Sequence, residues 1–141
     1  MRRAAVDANV LYGGLVRRDQ HHDEASELLS AFDHGALPRG VVVSSVLEEA
    51  VNLLHVDTSH RTALRLLDAL GSSDGFETTH TTGEDLADGR RRFRRYEHLS
   101  LTDAVVTAWM ERNDIEFLYS FDDDFDAVAE ITRLDSPHDP Y

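Results

Sequence analysis

Cysteine and lysine are both missing from the 141 residues; all 14 Lys-or-Arg positions are arginine. Without cysteine there is neither a disulfide framework nor a thiolate zinc site. No apolar run approaches the roughly 18 residues that a membrane-spanning helix needs. Met1-Arg2-Arg3-Ala4-Ala5-Val6 meets an acid at Asp7, too early for the apolar core of a signal peptide. The expectation is a cytoplasmic protein with no membrane partner.

Positive charge is scarce as well. Against the 14 arginines stand 27 Asp and Glu, a formal net charge of −13. An acidic, lysine-free, aspartate-rich chain suits concentrated salt, where the Debye length is about 3 Å at 1 M and self-repulsion is screened. A halophilic habitat is therefore expected. Most of these acids belong to a solvated surface, so a functional one must be picked out by its position. The length predicts a single domain, residues 1–141, with a full core.

Ala4-Ala5-Val6 opens a short apolar strand that runs into Asp7 and Asn9. Asp7 falls where the strand should end, a position that suits a turn aspartate or a site residue. Ala25, Leu28, Leu29 and Phe32 recur at i, i+3, i+4 and i+7, one face of a helix over 22–32 closed by Gly35 and Pro38. His21 and His22 have no metal-ligand spacing and are expected to be exposed. Val41-Val42-Val43 is a β-branched strand, and Ser44 and Ser45 introduce a helix through Leu54. Ser45 and Glu48 have capping-box spacing, while the helical projection leaves Glu49 bordering the core face of Val46, Leu47, Ala50, Leu53 and Leu54.

A further amphipathic helix is predicted over 58–70, with Ala63, Leu64, Leu66, Leu67 and Leu70 inward and Gly71 as its stop. Phe76-Glu77-Thr78-Thr79-His80 reads as a short strand, and Thr81 to Asp85 supplies N-cap chemistry for the next helix. Arg90, Arg91, Arg92, Arg94 and Arg95 crowd that helix, with Leu86, Phe93 and Tyr96 as its packed side. Such arginines fit a solvated face paired with acids or a phosphate-binding patch. Ser100 is the predicted N-cap of a helix with Asp103 in its first turn, where Asp103 is either a capping residue or a site acid. Ile115-Glu116-Phe117-Leu118-Tyr119 suits a buried strand, and the acids of Ser120-Phe121-Asp122-Asp123-Asp124-Phe125-Asp126 collect at its end. Phe125, Val128, Ala129 and Ile131 suggest a brief helical turn before an edge strand over 131–134 and a polar tail.

Alternating strands and amphipathic helices point to an α/β sandwich with a mainly parallel central sheet. Sites in such sheets form beyond the carboxyl ends of the strands. Asp7 and Asp122 each end a strand, Asp103 opens the helix before the second of these, and Glu49 lies early in another helix. Carboxylates packed together repel, and a divalent cation offsets that repulsion. Four acids with no lysine, cysteine or suitably spaced histidine make an all-oxygen site suited to Mg²⁺ or Mn²⁺.

Four stretches, Val6-Asp7-Ala8-Asn9-Val10-Leu11, Val46-Leu47-Glu48-Glu49-Ala50-Val51-Asn52-Leu53-Leu54, Leu99-Ser100-Leu101-Thr102-Asp103-Ala104 and Ser120 to Asp126, resemble in order and spacing the motifs of PIN-domain ribonucleases, and most closely the VapC-like toxins of archaea. The resemblance covers essentially the whole chain. It implies a PIN-like fold and a Mg²⁺- or Mn²⁺-dependent endoribonuclease. In it, acids matching Asp7, Glu49, Asp103 and Asp122 hold metal and activate water for attack on an RNA phosphodiester. Asn9 and Ser120 match polar positions that support those acids, and Asp124 matches a second acid of the last motif. A homodimer and a VapB-like antitoxin, inserting a segment near the acidic pocket, are implied too.

Because a polyanion avoids a surface of charge −13, Arg91, Arg94 and Arg95 are predicted to hold the RNA. Two other classes place acids similarly. A receiver-like phosphoacceptor domain resembles its relatives in using a lysine, which this chain lacks; an inactive PIN-like interaction module would keep the fold and bind a protein partner.

Overall fold

The computed structural model describes residues 2–141. Five strands, β1 (Arg3–Val6), β2 (Arg39–Val43), β3 (Phe76–Thr79), β4 (Phe117–Tyr119) and β5 (Thr132–Leu134), form one sheet in the order β3-β2-β1-β4-β5. Every adjacent pair is parallel. Ala4 to Val6 and Gly40 to Val43 are buried without alternation, as interior strands covered on both faces must be.

Six helices cover the sheet: α1 (Ala8–Leu15), α2 (His22–Asp33), α3 (Ser44–Asp57), α4 (His60–Ser72), α5 (Gly83–Arg95) and α6 (Leu101–Arg112). Helix α1 packs on α2 and α3, α3 on α4, and α5 on α6. Ala104 through Met110 are all buried, so α6 is enclosed rather than amphipathic. The core is anchored by Trp109, Tyr119, Phe32 and Phe125, with the Phe32 ring 5.0 Å from Tyr119 and 5.1 Å from Phe76. Phe125 belongs to a short 3₁₀ helix, Asp123–Ala127.

Several local expectations are corrected. No helix is assigned over 8–15 from the sequence; α1 forms there despite Gly13 and Gly14, with Val10 and Leu11 fully buried. Glu48 caps nothing: α3 starts directly from β2 with Val43 as N-cap and no side-chain cap bond. Helix α4 runs through Gly71 to Ser72 and leaves Leu64 and Leu67 exposed. His21 and His22 are half-buried, His21 stacked on Phe121 at 4.5 Å and His22 Nδ1 2.8 Å from the Gly13 carbonyl oxygen.

The packed side of α5 also differs. Leu86 and Phe93 are exposed, and the buried residues are Asp85 and Gly89. A Cβ at Gly89 would lie 2.8 Å from Val105 Cα, so only glycine lets α5 approach α6 this closely. Arg92 turns toward α6, pairing with Asp88 at 2.9 Å and with Glu111.

Candidate metal centre

The strand order reverses between β1 and β4, because the chain lays down β2 and β3 on one side before returning to the other. Such a switch point opens a crevice beyond the carboxyl ends of the two strands. Asp7 follows β1 and Ser120 follows β4. The Asp7 amide bonds the Tyr119 carbonyl at 3.0 Å, carrying the pairing to the last residue.

Asp7 serves as the N-cap of α1. Its Oδ1 accepts from the Ala8 amide at 2.8 Å and its Oδ2 from the Ser120 hydroxyl at 2.7 Å. That hydroxyl also accepts from Asn9 Nδ2 at 3.3 Å and from the Asp122 amide at 3.0 Å, while Asn9 Oδ1 takes the Phe121 amide at 3.3 Å. Ser120 and Asn9 therefore tie the two strand ends together and fix the Asp7 carboxylate.

Burial pushes the Asp7 carboxyl up to about 6, against the lowering effect of its two hydrogen bonds; Glu49 and Asp122 add like charge. Burial likewise takes Asp103 up to about 7, with the charges of Asp7, Glu49 and Asp122 adding to it. Glu49 is also raised by desolvation although it lies at the exposed rim. Acids from β1, α3, α6 and the end of β4 thus share one electrostatic neighbourhood. Ser100 N-caps α6 by accepting the Asp103 amide at 3.1 Å, so Asp103 occupies the capping position and the acidic neighbourhood at once.

After β4 the acids separate by role. Asp122 Oδ1 accepts the Asp124 amide at 2.9 Å, and the Asp122 charge raises the Asp124 carboxyl. One carboxylate oxygen from each of Asp122, Asp123 and Asp124 lies within 4.8 Å of the others, a grouping able to hold a cation. Asp123 was not singled out by the sequence, where nothing distinguishes it from its exposed neighbours. Asp126 is bound by Arg133 through Nε at 2.9 Å and Nη2 at 3.1 Å, which holds its carboxyl below the usual range.

The three arginines expected to bind RNA part company. Arg95 lies 5.0 Å over the Tyr96 ring and, with His98, Asp123 and Asp124, lines a groove of about 260 Å³. Arg91 shares an adjoining groove with Arg95 but pairs with Asp88 at 3.4 Å. Arg94 is exposed and lines neither.

A parallel sheet with acids gathered at its switch point defines an α/β protein whose site is built from carboxylates on separate elements. The chain belongs to the PIN domain family, matched over residues 4–131. No curated protein matches the sequence. Among solved structures it is similar to VapC20 of Mycobacterium tuberculosis, a sarcin–ricin loop cleaving toxin, at 24% identity and a TM-score of 0.75 over 88% of this chain and 93% of that one. It is similar at 11% identity to the VapBC2 structure from Rickettsia felis bound to promoter DNA, TM-score 0.70 over 94% and 97%. FitAcB from Neisseria gonorrhoeae is similar at 12% identity, TM-score 0.65 over 95% and 97%. The family assignment removes the receiver-like reading, whose usual strand order 2-1-3-4-5 also differs from the one observed.

Proposed function

We propose that the chain is a metal-dependent endoribonuclease, the toxin of a toxin–antitoxin pair, hydrolysing RNA phosphodiester bonds in the cytoplasm. The observation that carries this reading is the mutual charge of Asp7, Glu49, Asp103 and Asp122 at the switch point of the sheet. Those acids with Asp124 would hold Mg²⁺ or Mn²⁺, and a donor set of carboxylate oxygens alone fits a hard divalent cation. When bound, such an ion acidifies water and neutralises phosphoryl oxygen.

The chain's own residues do the rest. Ser120 and the Ala8 amide hold both oxygens of Asp7 in one orientation, and Asn9 keeps Ser120 in place. Arg95, which packs 5.0 Å over the Tyr96 ring at the edge of the groove, attracts the RNA backbone toward the acids, aided by Arg91 and Arg94. Concentrated salt, suited to the acidic, lysine-free composition of a halophilic archaeal protein, screens the remaining repulsion.

A VapB-like antitoxin is the proposed partner. Similar structures include VapBC complexes and a toxin–antitoxin complex from Klebsiella pneumoniae. Leu53, Val56, Leu64 and Leu67 on α3 and α4 are 41, 80, 43 and 41% exposed, apolar surface that a partner segment would cover. A homodimer accords with the family resemblance.

The test is cleavage of a mixed RNA pool in high salt with Mn²⁺, comparing the unmodified protein, Asp7→Asn and added chelator. Cleavage that requires both Asp7 and metal is expected. Cleavage indifferent to both would be contamination. Metal binding without any cleavage, in protein free of copurified antitoxin, would favour the interaction-module reading.

A further inference from the structure

A further groove, of about 410 Å³, lies where α3, α5 and α6 begin, lined by Ser45, Thr81, Thr82, Leu86, Leu101 and Thr102 with Gly83 and Val105. It adjoins the acids through the chain itself. Ser45 is one helical turn before Glu49 on α3, about 6 Å along the axis, and Thr102 immediately precedes Asp103.

Its chemistry is unlike that of the groove beside Asp123 and Asp124. No charged side chain lines it, whereas the other carries Arg95, Glu97 and His98. Its walls are apolar, with Leu86 and Leu101 left 47 and 42% exposed, and its polar groups are hydroxyls. The Ser45 hydroxyl oxygen is buried and, among the described residues, has no hydrogen-bond partner. Protein interiors seldom leave such a group unmade, because desolvating it without compensation is unfavourable. Apolar walls with a few hydroxyls are what a flat, uncharged, hydrogen-bonding ligand requires.

We propose that this groove seats the nucleoside next to the scissile phosphate, the base lying against Leu86 and Leu101 while the hydroxyls of Ser45 and Thr102 meet its edge or its ribose. This inference rests on the ribonuclease reading and adds the residues that set where the RNA is cut. A site that offers a buried hydroxyl rejects a nucleoside unable to pair with it, so Ser45 acts on sequence preference while the acids act on rate.

The test maps cut positions in a randomised RNA pool with Mn²⁺ for the unmodified protein, Ser45→Ala and Leu86→Trp, measuring Mn²⁺ affinity alongside. Ser45→Ala is expected to lower kcat/KM about tenfold at preferred sites only, which flattens the preference. Leu86→Trp, at an exposed position that tolerates the larger ring, fills the groove and should raise KM about tenfold or more with Mn²⁺ affinity unchanged. A 2′-deoxy substitution at the preferred nucleotide separates the contacts: loss of the Ser45 effect assigns it to the ribose, and retention to the base edge. Both variants cutting the same positions with the original KM would overturn the inference. So would Leu86→Trp changing only the mass of the particle in solution, which would make the groove a subunit contact. If the unmodified protein cuts no RNA, the ribonuclease reading falls and takes this inference with it.

Discussion

Asp7 and Asp85 are buried at the starts of two helices, 6 and 1% exposed, and their surroundings are opposite. Asp85 closes a capping box with Thr82 and receives Arg112 in a two-pronged pair, Nε to Oδ1 at 2.6 Å and Nη2 to Oδ2 at 2.8 Å. Its carboxyl is held below the usual range, chiefly by that arginine. Asp7 has only a neutral hydroxyl and an amide, faces further carboxylates, and is pushed up to about 6. Burial alone does not mark a site. A buried acid whose charge is answered by the fold holds the fold together; one whose charge is left unanswered is available for chemistry.

The strongest break of this contrast is Asp7→Asn. Cleavage should fall by about a thousandfold, which corresponds to about 4 kcal/mol of barrier. The metal-free protein should become more stable at pH 8 by about 1–3 kcal/mol, because a buried charge has been removed. Urea titration with chelator checks the second half; a lower midpoint would show that Asp7 supports the fold as Asp85 does.

Asp85→Ala should do the reverse, costing about 1–2 kcal/mol through loss of the α5 capping box, and lowering Tm by roughly 5 °C. Its cleavage rate well below the melting point should stay near that of the unmodified protein. A large rate loss in the folded variant would erase the distinction between the two aspartates.

Ser120→Ala comes next. It removes the hydroxyl that orients Asp7, and metal affinity should fall about 10- to 100-fold by calorimetry. An unchanged affinity would mean that the Ala8 amide suffices.

The smallest expected effect is that of pH on the metal-free protein. Asp7 and Asp103 hold a proton more tightly folded than unfolded, so the stability they contribute is full below the ordinary value of 3.8 and is lost as pH rises through about 6 and about 7. Asp85, with its lowered value, contributes above 3.8 and loses that contribution only in more acidic solution. With chelator, stability should therefore drop by about 1–2 kcal/mol between pH 6 and pH 8. A urea midpoint that rises over this interval would contradict the assignment of unanswered charge to Asp7 and Asp103.

The sheet was legible in the sequence because its strands are short apolar runs, and with it the positions of Asp7 and Asp122 just past β1 and β4; Glu49 in α3 and Asp103 in the first turn of α6 were singled out by the helix pattern and the motif resemblance. Apolar periodicity failed on α5, where the buried face is a neutralised aspartate and a glycine: counting hydrophobic residues turns the helix the wrong way and sends Leu86 and Phe93 inward. Helix α1, left unassigned in the sequence, carries two glycines of low helix propensity and is held by the burial of Val10 and Leu11. Asp123 gave no signal beyond its neighbours, because only the tight turn after β4 brings its oxygen beside those of Asp122 and Asp124.

The bond from Ser120 to Asp7 joins residues 113 positions apart. The acidic corner therefore does not exist in any partial product of translation that stops short of β4. While the chain is being made, Asp7 waits for partners at Ser120 and Asp122 that follow it by more than a hundred residues. Assembly of the acidic corner is thus set by topology, since more than a hundred residues must be made after Asp7 before the carboxylates can meet.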